Sequence, residues 1–247
     1  MVVPELLTIT IRGRRVRGRA RPARQTVGVR VERSFAFVDL CGFTRFVSAR
    51  GDDEATDVLA GFRGCVRGIA SRRGVRVAKW LGDGAMVVAV EPAPLVAAIL
   101  ETEARLDDGS SALPIRAGMA TGAVILFEGD DYIGTPVNLA ARLCDVAGPR
   151  QVLAVPELVA ACPPWGAPGE PHQRSIAGGP APVEVVRLPR RPPGDDPVTD
   201  PVCGLVLPAD AALVRRVDGA EVGFCSESCA ASWAGGDRRV SEPVGEA

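Results

Sequence analysis

The chain has 247 residues, a formal net charge of −1 and a hydrophobic fraction of 47%. This length suits one medium domain and one small one, and the near-zero charge gives no overall basis for binding nucleic acid. No apolar run reaches the roughly 18–20 residues that cross a bilayer, and the N-terminus lacks a signal-peptide pattern. We therefore expect a cytoplasmic protein with no transmembrane segment and no specific nucleic-acid partner. In a reducing compartment its seven cysteines would be free, buried or metal-bound.

Arginine dominates the N-terminal segment 1–33, because residues 12–33 carry nine arginines and a single acid, Glu32. Such an arm could bind a membrane surface or nucleic acid through its charge. No aromatic residues interleave the arginines, however, and single-stranded nucleic acid stacks on such residues. We therefore favour a solvated or partly ordered leader for segment 1–33 and keep the binding arm as the alternative.

From residue 34 the hydrophobic pattern predicts regular elements in chain order. The first five are a strand at 34–40, a helix near 53–70, a hairpin over 75–90, a helix from about 94 to 106 and a strand at 114–127. A helix after Thr135 follows, then the strand QVLAV, a short helix PELVAA, and the edge strands RSIA and VEVVRL. This alternation predicts an α+β fold, a ferredoxin-like βαββαβ sandwich with helices on one face of a mainly antiparallel sheet.

Two carboxylates lie at the ends of neighbouring apolar strands. Asp39 ends the strand in SFAFVDLCGFT, and Asp83 lies in the turn LGDG of the predicted hairpin. Carboxylates brought together in this way suit a hard cation such as magnesium or manganese. Lys79, the only lysine of the chain, lies four residues before Asp83, and its ammonium group suits a nucleotide substrate.

Three blocks, FVDLCGFT, KWLGDG and DDYIGTPVNLAARL, resemble the signature blocks of class III adenylate and guanylate cyclases. The resemblance covers about residues 34–190 and implies a homodimer that converts ATP to 3′,5′-cyclic AMP and pyrophosphate. It implies two magnesium or manganese ions per site and ATP-binding residues from both subunits. The implied metal ligands are Asp39 and Asp83, and the implied catalytic residues are Asn138, which positions the ribose, and Arg142, which stabilises charge at the α-phosphate.

The same resemblance assigns substrate contacts. Lys79 and Asp131 match positions that read the purine, and an Asp that accepts from the adenine amine would be left unpaired by guanine. The pair therefore predicts ATP selectivity, although Lys79 could also form a salt bridge with Asp131. The backbone N–H groups at the helix start after Gly42, Phe43 and Thr44 suit the triphosphate.

Two positions depart from the cyclase pattern. Ala177 stands where the family usually has a lysine that contacts the triphosphate, and Arg174 is the nearest cation in sequence. Met119 stands where a histidine is frequent. These departures leave a second interpretation open, a catalytically weak homologue that serves as a nucleotide- or metal-binding sensor.

The segment 191–201 is rich in proline and charge and is predicted to be a linker. The remaining residues, 202–247, form a small unit with Cys203, Cys225 and Cys229. A unit of this size is marginally stable without a metal or another cross-link. Three thiolates would suit zinc, copper(I) or iron, and the alternative is a set of buried or redox-active cysteines.

The motifs DPVCGLVL and FCSESC of this unit resemble the YHS domain, over about residues 198–240. The resemblance implies a role in heavy-metal handling. Leu205 stands where methionine is common, and the only histidine of the chain, His172, lies outside the unit. The sequence therefore identifies no fourth ligand. We expect an adenylate cyclase that this unit could modulate.

Overall fold

The computed structural model describes residues 29–107, 111–127, 131–176, 181–217 and 220–234. Most of the arginine-rich segment 1–33 and the departing position Ala177 lie outside these residues.

A mixed sheet forms the main body of the described chain. In chain order its strands are β1 (Val29–Leu40), β2 (Arg76–Leu81), β3 (Gly84–Ala89), β4 (Ile115–Phe127), β5 (Asp131–Ile133), β6 (Gln151–Ala154), β7 (His172–Arg174) and β8 (Val183–Arg187). The spatial order is β2-β3-β1-β4-β6-β8-β7, and β5 folds back on β4. Only the β4–β6 pair is parallel among these described strands. The predicted α+β class and the mainly antiparallel sheet are therefore confirmed.

Four helices accompany this sheet in the described residues. They are α1 (Phe43–Arg50), α2 (Asp52–Arg73), α3 (Pro92–Asp107) and α4 (Thr135–Val146), and a short 3₁₀ helix covers Pro156–Ala161. The helical spacing of apolar residues predicted α2, which buries Phe62, Val66 and Ile69. Three acids in the first turn of α2 favour its start, and Gly74 ends it with φ 66°.

The helices lie on both faces of the sheet, so the prediction of helices on one face is wrong. Successive residues of a strand point to opposite faces. Val38 of β1 packs with residues of α2 and α3, whereas its neighbours Phe37 and Asp39 lie beside α4. The second face is available because Gly118 of β4, the register partner of Phe37, has no side chain to keep α4 away. A Cβ there would lie 2.2 Å from the backbone nitrogen of Cys144.

Two strand boundaries differ from the sequence prediction. β1 begins at Val29 rather than at residue 34, because residues 29–33 continue the antiparallel ladder with β4 from Val29 opposite Leu126. The edge strand predicted from RSIA is shifted, since β7 ends at Arg174 and its ladder with β8 spans only three residue pairs.

The C-terminal unit contains β9 (Pro197–Thr199), β10 (Val206–Pro208), β11 (Leu213–Val217), β12 (Ala220–Phe224) and α5 (Glu227–Ala234). The predicted linker 191–201 overlaps this unit, because β9 pairs with β10 and Asp200 is fully buried. The unit rests on the main body, where the Trp165 indole donates to the carbonyl of Cys225 at 3.2 Å. Among the described residues, no helix is long and apolar enough to cross a membrane.

Candidate functional site

Asp39 and Asp83 lie together at one edge of the sheet. Asp39 is the penultimate residue of β1 and pairs with Gly84, and Asp83 occupies the turn between β2 and β3. The amide of Leu40 donates to the carbonyl of Asp83 at 3.3 Å, which holds that turn against the end of β1. Both carboxylates line a pocket of about 470 Å³. The structure therefore brings together the two predicted metal ligands.

Glycine permits this close approach. A Cβ on Gly84 would lie 2.9 Å from the carbonyl oxygen of Val38 and 3.1 Å from Asp39 Oδ1. Gly82 adopts φ 64°, a left-handed conformation that glycine adopts without steric cost. The glycines on either side of Asp83 thus fix the turn that presents its carboxylate.

Arg116 of β4 is a pocket residue that the sequence motifs did not identify. Its Nη2 and Nε donate to Asp39 Oδ2 at 2.7 and 2.9 Å, and its Nη1 donates to the carbonyl of Asp145 at 3.0 Å. The β1–β4 register places Arg116 directly opposite Asp39. That register is a property of the folded sheet, so no local sequence signal could have revealed the pair.

The environment of the pocket perturbs two acidic groups. Burial raises the pKa of Asp39, the hydrogen bonds from Arg116 oppose this rise, and the nearby charge of Asp83 adds to it. Burial also raises the pKa of Cys144 to about 12, so this pocket residue is a neutral thiol near pH 7. A bound cation would relieve the repulsion between the two carboxylates.

Lys79 and Asp131 form a salt bridge, in which each side chain is about half exposed. Lys79 belongs to β2 and Asp131 begins β5, so the hairpin of β4 and β5 carries Asp131 across to the lysine. Tyr132 supports this arrangement, because its hydroxyl accepts from Arg76 at 2.8 Å and its ring contacts Phe35. The alternative stated for Lys79, a salt bridge with Asp131, is present.

Asn138 and Arg142 both lie on α4, with Asn138 exposed and Arg142 half-buried. The α4 residues that line the carboxylate pocket are Ala141, Cys144 and Asp145. Asn138 and Arg142 therefore do not complete the pocket of their own chain. α4 begins at Thr135, with Gly134 before it and Pro136 in its first turn, so the helix starts one residue earlier than the sequence predicted.

The helix start predicted to meet the triphosphate is present. Gly42, with φ 81°, precedes α1, which begins at Phe43 and continues through Thr44. The amide of Phe46 donates to the carbonyl of Gly42 at 3.0 Å, so the amides of the first turn have no partner within the helix. This turn follows Asp39 closely in the chain, although its residues are not part of the pocket lining.

Arg174, the nearest cation in sequence to Ala177, contacts the end of α4 in its own chain. Its Nη2 donates to the carbonyl of Val146 at 3.0 Å, so Arg174 caps the C-terminal end of α4. Met119 is fully buried in the core, opposite Ala36 of β1. Within the described pocket the cation beside the carboxylates is Arg116.

A second candidate site lies in the C-terminal unit. Cys203, Cys225 and Cys229 are buried, and the Sγ of Cys225 lies 3.6 Å from the Sγ of each of the other two. Asp200 joins them, since its carboxylate oxygen and the three sulfurs all lie within 4.8 Å of one another. The structure thus brings together the three predicted cysteines and adds an acid that the sequence analysis had placed in a linker.

Arg73, the last residue of α2, connects this cluster to the main body. Its Nη2 donates to Cys225 Sγ at 3.2 Å, and its Nε donates to Glu101 of α3 at 2.8 Å. Side-chain hydrogen bonds with Cys203 and Cys229 lower the pKa of Cys225, and the charge of Arg73 adds to this effect against burial. The Arg73 guanidinium thus favours the ionised form of Cys225.

Solved structures resemble the main body of the chain. The adenylyl cyclase CyaB from P. aeruginosa matches with a TM-score of 0.57 and 24% identity, over 65% of this chain and 94% of that chain. The guanylate cyclase domain from Catenaria anguillulae in complex with GTP matches with a TM-score of 0.57 and 18% identity, over 66% and 98%. The fold is that of a class III cyclase domain. No model of a known protein family matches the chain.

Curated relatives include proteins named adenylate cyclase. An uncharacterised protein of Mycobacterium tuberculosis is 35% identical over 161 residues, 65% of this chain and 42% of its own length. A pH-sensitive adenylate cyclase of the same species is 33% identical over 141 residues, 57% of this chain and 34% of its own. The chain thus spans less than half the length of these relatives. They confirm the cyclase resemblance, and the resemblance to the YHS domain stays a prediction.

Proposed function

We propose that this chain is an adenylate cyclase that converts ATP to 3′,5′-cyclic AMP and pyrophosphate at sites shared by two copies of the chain. The proposal rests on where the predicted site residues lie, because they form two groups that do not meet within one chain. Asp39 and Asp83 share one pocket with Arg116, whereas Asn138 and Arg142 lie outside it on α4. A second copy would supply the missing pair, as the cyclase resemblance implies.

The donor set of the pocket fits magnesium or manganese. Two carboxylates at the sheet edge offer the oxygen ligands that these hard cations prefer. One of the two, Asp39, forms a salt bridge with Arg116. Bound there, the ions would supply Lewis-acid activation of the ribose 3′-hydroxyl and charge neutralisation at the phosphates. Asp39 and Asp83 would hold them, and Arg116 would then be free to contact the triphosphate.

The remaining residues orient the nucleotide for one bond exchange. The ribose 3′-oxygen bonds to the α-phosphorus, the bond from that phosphorus to the bridging oxygen breaks, the hydroxyl proton passes to solvent, and pyrophosphate leaves. Asn138 would hold the ribose ring in position for this in-line attack. Arg142 would stabilise the negative charge that develops on the α-phosphate oxygens.

The shared site predicts complementation between inactive variants. Asp39→Ala and Asn138→Ala should each abolish cyclic AMP formation with ATP and manganese. After subunit exchange, random pairing leaves one intact site in each mixed dimer, so an equal mixture should recover about a quarter of wild-type activity. The matched control mixes Asp39→Ala with Asp83→Ala, which should recover nothing because both sites of the mixed dimer lack a ligand. Equal recovery in both mixtures, or none in the first despite exchange, would contradict a shared site.

The Lys79–Asp131 pair predicts a preference for ATP over GTP. Lysine can donate to a ring nitrogen of adenine while Asp131 accepts from the exocyclic amine, and guanine would leave that acceptor unpaired. Competition between the two nucleotides at equal concentration measures the preference. The double change Lys79→Glu, Asp131→Cys should shift it toward GTP, with a lower overall rate. Equal cyclisation of GTP and ATP by the wild-type chain would refute this role.

A catalytically weak sensor remains the alternative function, because Ala177 replaces the expected lysine. Nucleotide binding without cyclic AMP formation would favour that function over the enzyme. The substitution Ala177→Lys distinguishes the two, since it should lower the KM for ATP in an active cyclase that lacks only this contact.

We also propose that Cys203, Cys225 and Cys229 hold one soft metal ion. The proposal is supported by three buried sulfurs in mutual contact in a unit whose small size favours a metal cross-link. The purified protein should then carry about one zinc, copper or iron ion per chain. The Cys225→Ser, Cys229→Ser variant should lose the metal.

A further inference from the structure

Asp200 is a buried carboxylate whose charge nothing in the described part of the chain neutralises. It is 0% exposed, its oxygens accept backbone N–H groups from Val202 at 2.8 Å, Cys203 at 3.1 Å and Cys225 at 2.7 Å, and its carboxyl group also interacts with the Cys225 side chain. The other deeply buried acid, Glu101, differs because Arg72, Arg73 and Arg105 surround it. A buried charge without a counter-charge is costly, so a cation bound beside Asp200 would stabilise its ionised form.

The three sulfurs beside Asp200 have the spacing of metal ligands. A tetrahedral site with metal–sulfur bonds of about 2.3 Å has sulfur–sulfur edges of about 3.8 Å. Cys225 Sγ lies 3.6 Å from both Cys203 Sγ and Cys229 Sγ, which is far longer than a disulfide bond of about 2.05 Å. The carboxylate oxygen of Asp200 and the three sulfurs all lie within 4.8 Å of one another. The four ligand atoms are therefore close enough to bind one ion.

We propose that Asp200 is the fourth ligand of a closed, tetrahedral site for zinc(II), which Cys203, Cys225 and Cys229 complete; this inference rests on the soft-metal site proposed for the three cysteines. The carboxylate disfavours copper(I) among the three metals that cysteines alone would accept, and a closed tetrahedral set of four ligands is typical of structural zinc sites. A hard oxygen donor suits a borderline divalent ion better than copper(I). Four anionic ligands also leave a smaller net buried charge around a divalent ion than around a monovalent one.

Arg73 places a positive charge beside this site. Its Nη2 donates to Cys225 Sγ at 3.2 Å, and its Nε donates to Glu101 at 2.8 Å. Its positive charge offsets part of the net negative charge that three thiolates and a carboxylate leave around a divalent ion. The Arg73 side chain is 6% exposed, so little water screens this contact.

Cobalt(II) tests the coordination in the full-length chain, prepared metal-free under reducing conditions. Thiolate-to-cobalt charge-transfer absorption reports cobalt that is bound to cysteine sulfur, and the Asp39→Ala, Asp83→Ala background removes the carboxylates of the hard-cation pocket. We expect a tetrahedral cobalt spectrum that does not change when azide is added, because a closed site has no exchangeable position. Asp200→Ala and Asp200→Asn should weaken zinc binding by about tenfold or more. Both should also open the site, so that azide now shifts the cobalt spectrum.

The matched control is Asp196→Ala, which removes an exposed acid from the same segment and should leave both the affinity and the azide response unchanged. A wild-type spectrum that already responds to azide would overturn the role of Asp200, even if the cysteines bind metal. Unchanged zinc affinity in both Asp200 variants would overturn it as well. A wild-type chain that binds neither cobalt nor zinc would refute the cysteine site itself.

Discussion

Arg116 forms hydrogen bonds with the carboxylate of Asp39, which the proposed metal site requires. Its two donors contact the same oxygen of Asp39, so a cation that binds Asp39 must compete with this contact. A guanidinium is also well suited to a polyphosphate, because it offers several donors in a fixed plane. Arg116 can therefore exchange a carboxylate for a phosphate when the metal and nucleotide arrive together.

This exchange predicts opposite effects of one substitution. Arg116→Ala should tighten manganese binding to the nucleotide-free protein, because Asp39 loses its competing partner. The same change should raise the KM for ATP, because the triphosphate loses a cation. Manganese titration and steady-state kinetics measure the two effects, and Arg187→Ala, an exposed arginine of β8, is the control. Weaker manganese binding in Arg116→Ala would contradict the competition.

Individual residues show where sequence reasoning succeeds and where it fails. The motifs located Asp39 and Asp83 correctly at the ends of their strands, because each lies within a short block whose local structure the pattern predicts. Arg116 escaped notice, since it meets Asp39 across 77 residues of chain through strand register alone. Asp200 was assigned to a linker on its proline-rich surroundings, although the β9–β10 pairing buries it.

At the scale of elements, α4 depends on one glycine. A Cβ on Gly118 would lie 2.2 Å from Cys144 N and 2.3 Å from Ala140 O, both backbone atoms of α4. Because neither atom can rotate away, α4 would have to shift off the sheet. The sequence predicted both β4 and α4, but it could not predict their close contact, which places α4 on the face opposite α2 and α3.

Gly118→Ala should therefore destabilise the fold by about 2 kcal/mol or more, through overpacking. Because α4 also carries Asn138 and Arg142, cyclase activity should fall further than the loss of folded protein explains. Gly64→Ala is the matched control. Gly64 lies within α2 with open space around it, so alanine there should stabilise by about 0.5–1 kcal/mol. Urea unfolding followed by circular dichroism measures both, and a neutral Gly118→Ala would refute the packing argument.

At the scale of the whole molecule, the C-terminal unit covers part of the main body. Trp165 is fully buried, its indole donates to Cys225 O, and Arg73 lies over its ring at 5.7 Å. Arg191 closes the same contact region, because its amide donates to Trp165 O at 2.9 Å and its guanidinium pairs with Asp210. The unit and the cyclase-like body therefore share one buried interface, although the proline-rich composition of residues 191–201 predicted a linker between them.

Removal of residues 197–247 should accordingly destabilise the remaining body. The deletion exposes Trp165, which costs about 2 kcal/mol for a large aromatic side chain, and it leaves Arg73 without its sulfur partner. In a Trp233→Phe background, which removes the tryptophan that the deletion itself takes away, we expect a lower urea midpoint and a red-shifted tryptophan emission. Trp165→Phe in the truncated chain should remove most of that shift. The control Glu184→Ala, which removes an exposed side chain of β8, should change neither value. If the deletion gives the same midpoint as the full chain, the unit does not stabilise the body, and any effect of its metal on the cyclase would need another route.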